Sequence, residues 1–369
     1  VGGPGNQQVI AAAERPMPSD IADDWPALLE WLETSIPSCL DGGGFIGKKV
    51  VIGLPATWTT VQHVQMSPEE AKLADEVVGA YLPELDEEPM TRVIHVGDVV
   101  RDDQPRSELI CMAFPRRCVF HVVEMLHRHG LDVVDIRTQI GAMVSAFDHL
   151  HRRDSDIEQA TMYVDLGTSG TNCAIANGRH LASARRINVG GRHFDQAVAR
   201  HLGCDLEAAR AYRIAHDLAE HDESTTHPGV SADSDPMDRR KNLPPKSLGS
   251  PMTPLGLGTG GIVPDCPDLL ETIVDELRMA VRYDAGLFPD RAIERIIFLG
   301  SGARSDNTCR HIVQALQIPG QRGDPLARFN CPPGTPCPAD WNGMPRPDWG
   351  VACGLLASGK RSKERSHAA

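Results

Sequence analysis

The sequence predicts a mixed α/β protein of two domains, and three observations predict it. Short apolar runs of strand length alternate with segments whose apolar residues recur at helical spacing, along almost the whole chain. The 369 residues suffice for two domains at roughly 150 residues each. Hydrophobic residues make up 41% and charged residues 24%, so the chain can bury a core.

The same composition excludes some functions. Aromatics are only 5%, too few for a surface that stacks single-stranded bases. The 37 basic against 50 acidic residues give −13, which disfavours a nucleic-acid binder that must neutralise phosphates. No apolar run approaches the roughly 18 residues that span a bilayer. The ten cysteines are scattered without a CxxC pair, and Cys331 and Cys337 have no partner pair to complete a zinc site. The start at Val1 has no signal-like apolar stretch, so reduced thiols in a cytoplasm are expected.

Taken in order, residues 25–36 carry Leu28, Leu29, Leu32 and Ile36 at helical spacing and stop near Pro37. KVVIGL at 49–54 is a short strand. Residues 66–82 open with Ser67-Pro68-Glu69-Glu70, a Ser cap with Pro and Glu behind it, and predict a helix. Strands are expected at 92–99, 108–114 and 131–136, with helices at 116–129 and 139–150. Residues 162–176 and 180–187 predict a hairpin turned by Asn177-Gly178. A helix follows Gly190-Gly191. Residues 219–267 are dense in Ser, Pro, Gly and Asp and predict a flexible insertion. Helix 269–287, strand 293–299, helix 308–316 and a small-residue helix at 348–357 complete the chain.

Three motifs are decoys. GGGFIGK at 42–48 matches the start of a P-loop, but Lys49 stands where that loop needs Ser or Thr. It also precedes a strand instead of following one. GLGTGG at 256–261 has no strand before it and reads as linker. His121, Glu124 and His127 lack the HExxH spacing and suit a solvated helix face.

The segment MYVDLGTSGTNCAI at 162–175 is different in kind. A strand delivers Asp165, and Gly167, Thr168, Ser169, Gly170 and Thr171 form a tight turn. Glycines let backbone approach a phosphate closely, and successive N–H groups and hydroxyls supply donors. An aspartate there suits magnesium held through water. A second element, IERIIFLGSGAR at 293–304, places Gly300, Ser301, Gly302 and Ala303 after a strand, where a flat ring could lie against backbone.

This succession resembles the superfamily of actin, Hsp70 and sugar kinases, and within it the PilM (competence protein A) family of type IV pilus assembly. FtsA is the near relative. The resemblance rests on VDLGTSGTNCAIANGRHLASARRINVGGRHFDQAVARHLG from Val164, IERIIFLGSGARSDNTCRHIVQALQIP from Ile293, LHRHGLDVVDIRTQIGAMVSAF before the hairpin, and WGVACGLLAS near the end. It implies a two-lobed actin/Hsp70-like ATPase fold with an inserted α+β subdomain in the first lobe. It further implies that 165–171 bind phosphate, that Asp165 holds Mg, and that 300–303 bind the adenosine of ATP. Glu207 fits the family's acid near ribose, with Arg210 or Arg213 in place of its usual lysine.

The implied layout is first lobe 1–58, inserted subdomain 59–130, first lobe 131–163, second lobe 164–218, insertion 219–267, second lobe 268–340, a helix returning to the first lobe at 341–358, and a disordered tail 359–369. The family's first phosphate hairpin, of the type D-I-G-x-x-S, is absent, although 7–18 is similar to the strand that follows it. The expectation is a chain given without its beginning, the alternative being loss of the motif. Arg137 stands where the family commonly has an acid, so the implied activity is a weak ATPase at most. The polar tail favours PilM over FtsA, which ends in an apolar-faced membrane helix. The resemblance then implies a cytoplasmic scaffold at the inner membrane, docked on the N-terminal segment of a PilN-like protein and able to self-associate. The alternatives are an FtsA-like division protein, a degenerate module that binds no nucleotide, and a small-molecule kinase of the same fold.

Overall fold

The computed structural model describes residues 7–18, 21, 24–82, 89–151, 159–223, 265–330, 332, 335 and 345–357. Of the expected insertion, 219–223 continue a helix and 265–267 open the next one. The remainder, with the GLGTGG motif, the expected tail and Cys331 and Cys337, lies outside the described residues.

Strand β1 (Gln7–Gln8) leads to helix α1 (Trp25–Gly43) and strand β2 (Lys49–Leu54). Asp24 caps α1 by accepting from Ala27 N at 3.2 Å. Gly44 (φ 68°) and Gly47 (φ 97°) turn the chain from α1 into β2, so GGGFIGK is a glycine turn. After β2 come β3 (Thr60–Met66), α2 (Pro68–Ala71), α3 (Ala74–Val77), β4 (Met90–Arg101) and β5 (Gln104–Phe114). The single helix expected at 66–82 is thus two short helices, the first opened by the Ser67–Glu70 capping box. Asp102 (φ 53°) and Asp103 (φ 58°) form the two-residue turn between β4 and β5. Strand β5 is central in the antiparallel sheet β3-β5-β4. It is buried on both faces, with Leu109 and Cys111 in one cluster and Ile110, Met112 and Phe114 in another.

Helix α4 (Arg116–Arg128), strand β6 (Asp132–Thr138) and helix α5 (Gln139–Ser145) follow. Strand β6 pairs in parallel with β2. Leu29, Leu32 and Ile36 of α1 pack on Val122, Met125 and Leu126 of α4 beside this pair.

The second half holds β7 (Ala160–Leu166), β8 (Thr171–Asn177), β9 (His180–Ile187), α6 (Gly191–Leu202), α7 (Leu206–Glu223) and α8 (Asp265–Leu287). Then come β10 (Ile293–Leu299), α9 (Asp306–Leu316), β11 (Gly320–Arg322), β12 (Phe329–Asn330) and α10 (Gly350–Ala357). Its sheet runs β11-β10-β7-β8-β9, with β7-β8-β9 an antiparallel meander and β10 and β11 parallel to β7. The loop between β8 and β9 is Gly178-Arg179, one residue later than expected, with Gly178 at φ 58°.

Both faces of this sheet are covered, which is why every residue of β7 is buried. Met162, Val164, Ile175 and Phe298 pack on Ile273 and Leu277 of α8 and Ile312 of α9. On the other face Tyr163, Ala174 and Ile297 meet α5 and the sheet β3-β5-β4, which lies within the expected inserted subdomain. Helix α10 returns to the first half and crosses α5 at Gly354, where an added Cβ would lie 1.8 Å from the Ala142 carbonyl oxygen.

One buried carboxylate is costly. Asp284 of α8 is 1% exposed and neither of its oxygens has a hydrogen-bond partner among the described residues. Burial pushes its pKa up to about 6, with Arg291 offsetting part of the effect. The folded state therefore binds this proton more tightly than the unfolded chain, so stability falls as pH rises from about 4 to about 6. Asp284→Asn is expected to raise stability by about 2 kcal/mol above that range, with the gain vanishing below it. Urea melts across pH check this.

Candidate functional site

Three glycine-bearing turns converge at the end of β7. The loop between β7 and β8 closes on itself through Gly167 N, which donates to Gly170 O at 3.1 Å. Its carbonyls then anchor the start of α6: Gly191 N donates to Gly167 O (2.9 Å) and Arg192 N to Thr168 O (2.8 Å). Arg186 braces the far side by donating to Ser169 O at 3.3 Å, and Thr171 Oγ1 donates to Val189 O at 2.8 Å. An added Cβ on Gly190 would fall 2.4 Å from Gly170 N, so only glycine fits this approach.

The third turn comes from β10. Gly300 has φ 79°, and a Cβ there would lie 2.4 Å from Asp165 Oδ1 and 2.6 Å from Leu166 O. A Cβ on Gly302 would lie 2.8 Å from the Leu166 side chain. Arg322 of β11 holds this turn in place, donating to Ala303 O at 2.8 Å and Arg304 O at 3.2 Å.

These turns bound a cavity of about 410 Å³. Gly167, Thr171, Gly190, Gly191 and Gly302 form one end, and α8 and α9 form the opposite wall with Leu270, Glu271, Thr308 and His311. His311 Nε2 and Glu271 Oε1 are 2.8 Å apart across that wall. Helix α7 contributes Arg213, whose Nε donates to the buried Asp195 of α6 at 2.7 Å. That bond fixes the guanidinium next to Gly191, as a planar cation at the glycine end.

Asp165 sits behind the turn and is buried. Its Oδ2 accepts from Gln139 Nε2 of α5 (2.7 Å) and from Asn172 Nδ2 of β8 (3.1 Å). Burial raises its carboxyl above the ordinary value, while these amides and Arg186 act in the opposite direction. The amide oxygen of Gln139, Oε1, accepts from Ala56 N at 2.9 Å, so one side chain ties Asp165 to the first half. Among the described residues no group of three or more His, Cys, Asp or Glu could hold a metal by itself. A single carboxylate fits magnesium, which takes its remaining ligands from phosphate and water.

The structure thus brings Asp165, Gly167, Gly170, Thr171, Gly300 and Gly302 together, with Ala303 buried behind them. Thr168 and Ser301 are exposed, and Ser169 is half-buried. Glu207 and Arg210 lie exposed on α7 and outside the cavity lining; Arg213 is the α7 residue that reaches it. Helical phase is the reason, because each step of three residues turns the side chain by about −60°. Gln139 and His311 carried no sequence signal, since both act through contacts between distant segments. Glu124 faces Arg128 on the exposed side of α4, whereas His121 stacks on Trp25 with its Nδ1 buried, and so faces α1 instead of solvent.

No family model matches the chain, and no curated protein matches it in sequence. Solved structures do match. PilM, from the PilM–PilN type IV pilus biogenesis complex, superposes with a TM-score of 0.69 at 17% identity, over 94% of this chain and 90% of that one. MreB5 of Spiroplasma citri bound to ADP gives a TM-score of 0.44 at 12% identity, over 96% and 81%. The chain has the mixed α/β fold found in PilM.

Proposed function

We propose that this chain is a nucleotide-binding scaffold of type IV pilus assembly, or of related type II secretion, that docks on the N-terminal segment of a PilN-like membrane protein. The observation that carries the reading is the cavity between three glycine turns, in a chain whose fold is that of a PilM solved with PilN. ATP would place its phosphates at 167–171 and its nucleoside against 300–303. Arg213 would supply a charged donor, and Asp165 would hold hydrated Mg behind the phosphates. Glu207 and Arg210 would border the ligand from the exposed side of α7. Arg137, paired with Asp135 at 2.7 Å, stands where PilM proteins commonly have an acid, which suits a weak ATPase at most. No helix among the described residues is long and apolar enough to cross a membrane, so membrane attachment would run through the partner, at the cytoplasmic face.

Calorimetry with ATP and magnesium tests the nucleotide part. Arg213→Ala is expected to weaken ATP binding at least about tenfold, the value of one hydrogen bond to a charged group. Equal affinity in this variant would remove Arg213 from the site. Capture by a peptide from the N-terminus of a PilN-like protein tests the docking part, and absence of capture at high peptide concentration counts against it.

A further inference from the structure

Helix α8 joins two places far apart in the fold. Its N-terminal turns give Leu270, Glu271 and Ile273 to the cavity wall. Its C-terminal turns reach the inserted sheet, where the Tyr283 hydroxyl donates to Glu108 of β5. The Glu108 carboxylate is 0% exposed. His63 of β3 meets the same oxygen through Nδ1 at 3.0 Å and lies edge-on to the Tyr283 ring, centroids 5.0 Å apart. Its Nε2 faces the Ala184 backbone of β9 at 3.3 Å.

A second contact follows directly after the helix. Phe288 lies against Gly97, where a Cβ would be 3.6 Å from its ring, at the irregularity in β4 between His95 and Gly97. The inserted sheet therefore holds the end of α8 at two points, one polar and one apolar.

The stretch between is anchored along its length. Leu270 and Tyr283 are about 20 Å apart along the helix axis. Val274, Leu277 and Ala280 are buried against the five-stranded sheet, and Glu276 pairs with Arg185 at 2.7 Å. Burial alone would raise the Glu108 carboxyl, but hydrogen bonds from His63, Tyr283 and Gln65 hold it below the ordinary value. A buried carboxylate that loses a donor pays the desolvation of the freed oxygen, so the junction resists separation when α8 moves.

We propose that α8 couples the cavity to the inserted sheet: a ligand that fills the cavity displaces the first turns of α8, and the Glu108–His63–Tyr283 junction carries that displacement into β3-β5-β4. The proposal rests on the nucleotide reading above. It makes the inserted sheet the output surface of the cavity, and any partner that binds that sheet in one state would change ligand affinity in return.

The test is hydrogen exchange read by mass spectrometry on the full chain, with and without ATP and magnesium, for wild type and Tyr283→Phe. This substitution keeps the ring and removes only the hydroxyl, and a thermal melt confirms that the variant is folded. Slower exchange over 166–171 and 266–273 is expected in both proteins. In the wild type, exchange over 60–66 and 104–114 is expected to change at least about fivefold, the low end of typical coupling. In Tyr283→Phe, which leaves the Phe288–Gly97 contact, that remote change is expected to shrink while the cavity response remains. Protection at the cavity without a remote change in wild type overturns the coupling. An unaltered remote change in Tyr283→Phe overturns the junction's role in it. No protection at the cavity overturns the nucleotide reading, and this proposal falls with it.

Discussion

Gly354→Ala is expected to destabilise the protein by about 3 kcal/mol, the upper end of typical overpacking costs. The new methyl would sit 1.8 Å from a backbone carbonyl oxygen of α5, an atom that cannot rotate out of the way. Relief requires α10 to move off α5 as a unit, opening the contact that closes the first half of the molecule. Helix α5 also carries Gln139, which bonds to Asp165, so the displacement reaches the candidate site. Urea denaturation should show a lower midpoint with an unchanged slope. Gly286→Ala is the control: it lies in α8 with nothing within 4 Å of an added Cβ, and a gain of about 0.5–1 kcal/mol is expected there.

His63→Leu is expected to cost about 1.5–3 kcal/mol at neutral pH, because it takes one hydrogen bond from a buried carboxylate. The pH dependence identifies the cause. In wild type, Glu108 has a lowered folded-state pKa, so its stabilisation is present above the ordinary carboxyl range and is lost as pH falls through the lowered value. In His63→Leu the buried carboxyl gains from taking up a proton, so the penalty shrinks with falling pH. Adding Glu108→Gln to His63→Leu should recover most of the loss at neutral pH. A penalty that ignores both pH and the second substitution would assign the effect to packing.

The alternation of strands and helices was legible because each element carries its own apolar period, and the meander β7-β8-β9 because its turns are short and glycine-bearing. The glycines of the site were legible for the same reason. The phase of α7 was not, since nothing local distinguishes Glu207 and Arg210 from Arg213; the choice is made by Asp195 on α6, which anchors one of them. The hairpin at Asp102-Asp103 was also missed, because two aspartates carry a weaker turn signal than an Asn-Gly or Asp-Gly pair. Contacts that join distant segments, such as Gln139 with Asp165 and Tyr283 with Glu108, leave no pattern in the chain at all.

The convergence of the turns at Gly167, Gly190 and Gly300 has a consequence for how such a protein can diverge. These segments meet through main-chain atoms, and main-chain atoms are the same whatever residue supplies them. Only the few positions where a Cβ has no room are pinned; the surrounding side chains can drift without moving the scaffold. The same fold can therefore be built from very different sequences, as the superposition on PilM at a TM-score of 0.69 with 17% identity shows.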